Sequence, residues 1–124
     1  MSNPGMIKTA IAETALAKFR IVTPGASDGY VKQAGAATDA LTGVTEGFAY
    51  AIGDRPSIVR SGITDVEYGG NVTRGQPLTA DASGRAIAAA PAAGSNVRII
   101  GYAEVSGVLG DIGSVFIAPG VMQG

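Results

Sequence analysis

Leu41-Thr42-Gly43-Val44-Thr45-Glu46 and Ile99-Ile100-Gly101-Tyr102-Ala103-Glu104 follow one pattern, apolar-x-Gly-apolar-x-Glu, at an offset of 58 residues. A second match follows each: Gly53-Asp54 and then Ser57-Ile58-Val59, against Gly110-Asp111 and then Ser114-Val115-Phe116, at an offset of 57. Two matches in the same order at nearly the same offset mark an internal echo. Each copy reads as a strand, a turn around Gly-Asp and a returning strand. Two such hairpin segments, about 41–62 and 99–120, predict a compact barrel or sandwich with approximate internal symmetry, and two units are too few for a solenoid.

The flanking sequence is also strand and turn. Phe19–Val22 stops at Thr23-Pro24-Gly25, and Ser27-Asp28-Gly29 precedes Tyr30-Val31-Lys32. Residues 34–40 are small and polar, a loop or a single helical turn ending at Leu41. In 63–68, Thr64, Val66 and Tyr68 share one strand face while Ile63, Asp65 and Glu67 share the other. Ser61-Gly62 reads as a hairpin turn between 57–60 and 63–68, and Asp81-Ala82-Ser83-Gly84 as another between Leu78-Thr79 and 86–88. Residues 97–105 and 114–118 are apolar on both faces, as central strands are. The first 18 residues differ: Ile7, Ile11 and Ala15 recur at four-residue spacing, which fits a helix face, whereas Thr9, Ile11 and Thr14 fit an extended arm. The expected organisation is an N-terminal arm over 1–18, extended or partly helical, and a single mainly β domain over 19–124, a small Gly-rich barrel or sandwich.

Composition supports this class. Ile plus Val number 22 against 4 Leu, and β-branched side chains suit a pleated, half-buried surface. Glycine at 19 of 124 residues demands many tight turns. Leu, Ile, Val and Phe together are only 29, so the core is thin, and in a small domain a partner or a second copy often completes the burial. The net charge of −1 argues against a protein that tracks phosphates, and no apolar run is long enough for a membrane span or a secretory signal. The expectation is a soluble chain made in a cytoplasm, with neither nucleic acid nor membrane as partner.

Chemistry is sparse. With no Cys, His or Trp, the chain lacks the means for Ser-His-Asp or Cys-His nucleophilic sites, thiolate redox chemistry, or a zinc site built on Cys or His. Asp65 and Glu67 point the same way from one strand; paired carboxylates can serve glycoside hydrolysis or hold a cation, but two neighbours on one strand do not flank a substrate. Asp54 and Asp111 stand in equivalent turns, where Asp bonds its own backbone. No phosphate-cradling loop occurs. Arg55, Arg60, Arg74, Arg85 and Arg98 are either interface groups or scattered surface charge, and Tyr50, Tyr68 and Tyr102 either interface anchors or core. No catalytic residue, cofactor or metal is expected.

The residues carrying the echo have a familiar order: Gly43-Val44-Thr45-Glu46, Gly53-Asp54, Ser57–Val59, Gly62, then Gly69 through Leu78, Asp81 through Arg85, Arg98 through Glu104 and Gly110-Asp111. Over roughly residues 15–120 this resembles the small decoration, or cement, proteins of tailed bacteriophage capsids. The resemblance implies a β-rich structural virion protein, without cofactor or reaction, that binds the outside of the expanded capsid and reinforces it. Proteins of that kind sit as trimers at three-fold and quasi-three-fold positions, or as dimers near two-folds. Its partners would be the major capsid protein and itself, with a homotrimer favoured over a homodimer. Many weak contacts repeated over a shell replace individual affinity by avidity.

On that reading the arm is the contact, through Met6, Ile7, Ile11, Leu16 and Lys18, laid along the major capsid protein or a neighbouring protomer. Deleting residues 1–15 should then leave a folded domain with weakened capsid binding. Two other readings stand beside it: a carbohydrate- or receptor-binding β module displayed on a virion, and a hydrolase built on Asp65, Glu67 or Glu104.

Overall fold

A chain rich in Ile, Val and Gly and poor in Leu favours extended backbone joined by tight turns, and the computed structural model, which describes residues 3–124, contains strands and turns with no helix. In chain order the strands are β1 (Asn3–Pro4), β2 (Ile7–Thr9), β3 (Ile11–Ala12), β4 (Ile21–Pro24), β5 (Tyr30–Gln33), β6 (Gly43–Thr45), β7 (Ser57–Val59), β8 (Gly62–Glu67), β9 (Pro77–Ala80), β10 (Ala86–Ala88), β11 (Asn96–Ala103) and β12 (Ile112–Gln123). They form two six-stranded sheets, ordered β2-β7-β6-β4-β5-β3 and β1-β8-β12-β11-β9-β10, packed as a sandwich-like pair.

The echo proves to be the visible part of a larger duplication. Val44↔Val59 and Thr45↔Ile58 pair in the first sheet as Tyr102↔Phe116 and Ala103↔Val115 pair in the second. Ile7, Lys8 and Thr9 pair with Val59, Ile58 and Ser57 as Ile63, Thr64 and Asp65 pair with Phe116, Val115 and Ser114. Ile21↔Val44 and Val22↔Gly43 match Pro77↔Tyr102 and Leu78↔Gly101. The parallel contact Ala12↔Val31 has its counterpart in Tyr68↔Ala86. The left-handed residue Phe19 (φ 56°) likewise corresponds to Gly75 (φ 93°). Residues 7–60 and 63–117 are therefore two copies of one arrangement, here called the first and second repeats.

The glycine of the echo has a steric cause. A Cβ on Gly43 would lie 2.6 Å from the Val59 carbonyl oxygen, and one on Gly101 would collide with the equivalent oxygen of Phe116. The returning strand approaches too closely for any side chain. The Gly-Asp turns are alike to the atom: Gly53 and Gly110 have φ of 87° and 89°, Ala51 N donates to Asp54 Oδ2 (2.8 Å), and Val108 N donates to Asp111 Oδ2 (2.9 Å).

Of the two forms expected for the N-terminal segment, the extended one is found: residues 3–18 carry no helix and are hydrogen-bonded into both sheets. Asn3–Pro4 pairs with Ile63–Gly62 and Ile7–Thr9 with Val59–Ser57, while Gly5 N donates to Ser61 O (2.9 Å) and Arg60 N to Met6 O (2.7 Å), so one antiparallel ribbon straddles the two sheets. The four-residue spacing of Ile7 and Ile11 is even, and so places both on one side of a strand as readily as on a helix face. Ser61-Gly62, expected as a hairpin turn, is not one: β7 pairs with β2 and β6, β8 with β1 and β12, and the two residues are the crossover between repeats. The turn at 81–84 does close the β9–β10 hairpin, with Asp81 Oδ1 accepting from Ser83 N (2.8 Å) and Arg85 N (2.9 Å).

The core is unequal between repeats. The interior of the first holds Ala12, Leu16, Val22, Val31 and Ile58; the equivalent interior of the second, Tyr68, Val72, Leu78, Ala86 and Val115, belongs to a larger cluster. That cluster also takes in Ile21, Val44 and Val59, which face outward from the first repeat and are fully buried against the second. The Tyr68 ring fills the second repeat where the first has only Ala12, its hydroxyl donating to Val105 O (2.8 Å).

Candidate functional site

Most carboxylates are engaged in holding backbone or arginine. Glu67 lies between Arg20 (2.9 Å) and Arg85 (3.9 Å), and Arg85 also meets Asp81 (3.1 Å). Asp39 Oδ2 accepts from Gly35 N (2.9 Å), Glu13 Oε1 from Ala26 N (2.7 Å), and Asp65 Oδ1 from Ser114 Oγ (3.3 Å). Asp65 and Glu67 share a strand face, as the alternation predicts, but their partners differ, and Glu104 is exposed at the end of β11. No group of three metal-ligating side chains occurs among the described residues. The Tyr68 phenol is raised above 10.0 by burial and, secondarily, by the Asp111 carboxylate.

Two sets of the exposed apolar groups stand out by their place in the duplication. The first lies on the pair of equivalent loops between the hairpin strands. Phe48 (67% exposed) and Ile52 (73%) project from the loop 46–56, and Val108 (56%) and Leu109 (61%) from the loop 104–111. Both loops are anchored by the Gly-Asp turns and by paired backbone bonds, Leu16 with Tyr50 in one and Val72 with Gly107 in the other. These large apolar groups are held out on braced turns, where they are available for contact. The second set is a row across the outer face of the second sheet, where Phe116 and Tyr102 are cross-strand partners, each nearly half exposed, and continue into Ile63 and Pro77.

Of the five residues expected to make the contact, Met6 is exposed just before β2 and Ile7 on it, Ile11 is half-buried on β3, and Lys18 is exposed beside the first loop. Leu16 is not available: at 2% exposure it belongs to the core of the first repeat, placed there by its double backbone bond to Tyr50. Phe48, Ile52, Val108 and Leu109 carry no signal in the sequence, because a few apolar residues in short Gly-containing loops show no periodicity. Residues 97–105 and 114–118 are apolar on both faces, as central strands are, yet one side of β11 and β12 is open at Tyr102 and Phe116.

A groove of about 190 Å³ opens on the first repeat, lined by Lys8, Ala10, Pro24, Tyr30, Thr42 and Arg60 among others. A second recess, lined by Phe19, Glu46, Gly47, Thr64 and Asp65, lies where the repeats meet.

The fold is shared with the N base of the head fiber gp8.5 of bacteriophage phi29, at a TM-score of 0.68 and 19% identity, over 91% of this chain and 93% of that one. Comparison with curated protein sequences finds no match. The sequence profile of the phage cement proteins matches residues 3–107, nearly the whole duplicated unit, and on that match this chain belongs to the phage cement protein family, a capsid-associated structural protein of the virion.

Proposed function

We propose that this protein binds the outer surface of the expanded phage capsid and stabilises it, with the major capsid protein as its partner and a homotrimer, in preference to a homodimer, as its working form. The family match supports the role, and the observation that carries it is the pair of braced, equivalent loops presenting Phe48, Ile52, Val108 and Leu109 to solvent. Met6, Ile7 and Lys18 of the N-terminal segment, with Ile11 at its edge, belong to the same proposed contact. A protein of this kind performs no reaction and needs no cofactor: its work is to add many modest apolar contacts across the shell, each repeated with the shell's symmetry.

Co-sedimentation with expanded capsids tests the proposal. Wild-type protein pellets with the shells and raises the temperature at which they open. Replacing Phe48, Ile52, Val108 and Leu109 by Ser leaves the fold intact and reduces pelleting at least tenfold. Failure of the wild type to pellet refutes the role, and full pelleting by the loop variant moves the contact elsewhere. A second reading, carbohydrate binding, draws on the adjacent exposed rings of Tyr102 and Phe116, since sugars stack on such pairs; a positive glycan array lost on Tyr102→Ala would favour it.

A further inference from the structure

The two repeats share one arrangement, yet their outer faces are treated differently. The outward row of the first, Ile21, Val44 and Val59, is sealed in one cluster with the mouth of the second repeat, where Val66, Ala80, Ile100 and Ile117 are buried. Backbone completes this contact. Glu67 N donates to Phe19 O (3.1 Å) and Ile21 N to Gly84 O (2.8 Å), so the start of β4 is inserted between β8 and the β9–β10 turn. The equivalent outward row of the second repeat, Pro77, Tyr102 and Phe116, lies at the surface. The equivalent mouth, that of the first repeat, is the open groove of Lys8, Ala10, Pro24, Thr42 and Arg60, which stand where the second repeat has Thr64, Val66, Ala80, Ile100 and Ile117.

Two repeats joined face to mouth, with the mouth of the first and the face of the second left open, form a head-to-tail unit. We infer that Tyr102 and Phe116 of one copy dock in the Lys8–Arg60 groove of a second copy. The inference deepens the oligomeric part of the proposed function by naming the surfaces that join the copies. The chemistry is complementary: Lys8 and Arg60 offer apolar stems and cationic heads, and aromatic faces receive both.

The contact between copies is weaker than the one within the chain, for two visible reasons. Pro77 has no N–H to donate where Ile21 donates. In the first repeat Ile11 N bonds to Gly29 O (2.9 Å), closing the gap that in the second repeat admits a strand. Copies therefore meet through side chains without strand insertion. A heterologous contact of this kind gains by closing into a ring, which leaves neither face nor groove open at an end.

Light scattering on purified protein without capsids tests this, using a face variant (Tyr102→Lys with Phe116→Lys) and a groove variant (Lys8→Glu with Arg60→Glu), each checked for wild-type circular dichroism. A pair of milder variants, Phe116→Ser and Arg60→Ser, serves if either fails to fold. The wild type runs at three times 12.3 kDa. Each variant alone falls to monomer mass, and an equimolar mixture recovers a two-chain species, because one intact face then meets one intact groove. A wild type that stays monomeric at its highest soluble concentration, a variant that assembles as the wild type does, or a mixture that stays monomeric overturns the inference. The capsid role fails separately: protein that assembles but ignores expanded shells refutes that role alone, and protein that pellets with shells but is monomeric in solution refutes this inference alone.

Discussion

Val44 and Val59 of the first repeat occupy the same positions as Tyr102 and Phe116 of the second, yet the first pair is wholly buried and the second is nearly half exposed. The backbone pairing is the same in both, so strand geometry does not decide exposure; the neighbour does. The outer row of the first repeat lies against the second repeat, whereas the outer row of the second lies against neither. That second row nonetheless carries two aromatic rings where an ordinary solvated strand face would carry polar groups, which is the composition of a surface meant to be covered.

The largest way to break this comparison is to remove the segment that ties the repeats together. Deleting residues 1–15 takes away β1, β2 and β3, the ribbon across both sheets, and Ala12 from the core. The expected outcome is loss of cooperative thermal unfolding, the reverse of what an appended arm would give. A folded truncation would return the segment to the status of an arm.

Paired substitutions sharpen the comparison next. Val59→Ala removes two buried methyl groups and should cost about 2 to 3 kcal/mol, whereas Phe116→Ala, at the equivalent position, should cost about 1 kcal/mol or less in the monomer. For a chain of this size, thermal melts at low concentration should separate the two by several degrees. Equal losses would mean that the outer row of the second repeat is already covered. The turns should behave in the opposite way, as equals: Asp54→Ala and Asp111→Ala each lose the same side-chain bond to backbone, and each should cost about 1 kcal/mol in urea unfolding.

The smallest effect concerns the interiors, where Tyr68 of the second repeat takes the position that Ala12 has in the first. Because burial and Asp111 raise its phenol above 10.0, the folded state holds the proton after the unfolded chain has released it. This contribution is complete below pH 10.0 and is lost as the pH rises through the raised folded value. Tyr68→Phe should cost about 1 kcal/mol near neutrality, for the bond to Val105 O, and should flatten the alkaline decline of stability measured by urea titration between neutral and strongly basic pH.

Half of this duplication can be read from the residues. The hairpins at 41–62 and 99–120 are legible because close backbone approach forces Gly43 and Gly101, and turn geometry forces Gly53-Asp54 and Gly110-Asp111. The other half is not, because its equivalent positions share a place and not a chemistry: Ala12 stands for Tyr68, Leu16 for Val72, Phe19 for Gly75. Interior volume can be divided differently between two copies so long as each is filled. The contact surface is less legible still. Period two assigns a residue to a face but does not say whether that face is covered, so Phe116 reads as part of a central strand and Tyr102 as either anchor or core, while Leu16, expected at the contact, is core.

A cryo-EM map of the protein bound to expanded capsids tests the account most directly. It should show copies clustered on the outer surface, with Phe48, Ile52, Val108 and Leu109 toward the shell and Tyr102 and Phe116 of each copy seated in the Lys8–Arg60 groove of the next. Shells without added density, or copies whose Tyr102 and Phe116 remain open to solvent, would contradict it.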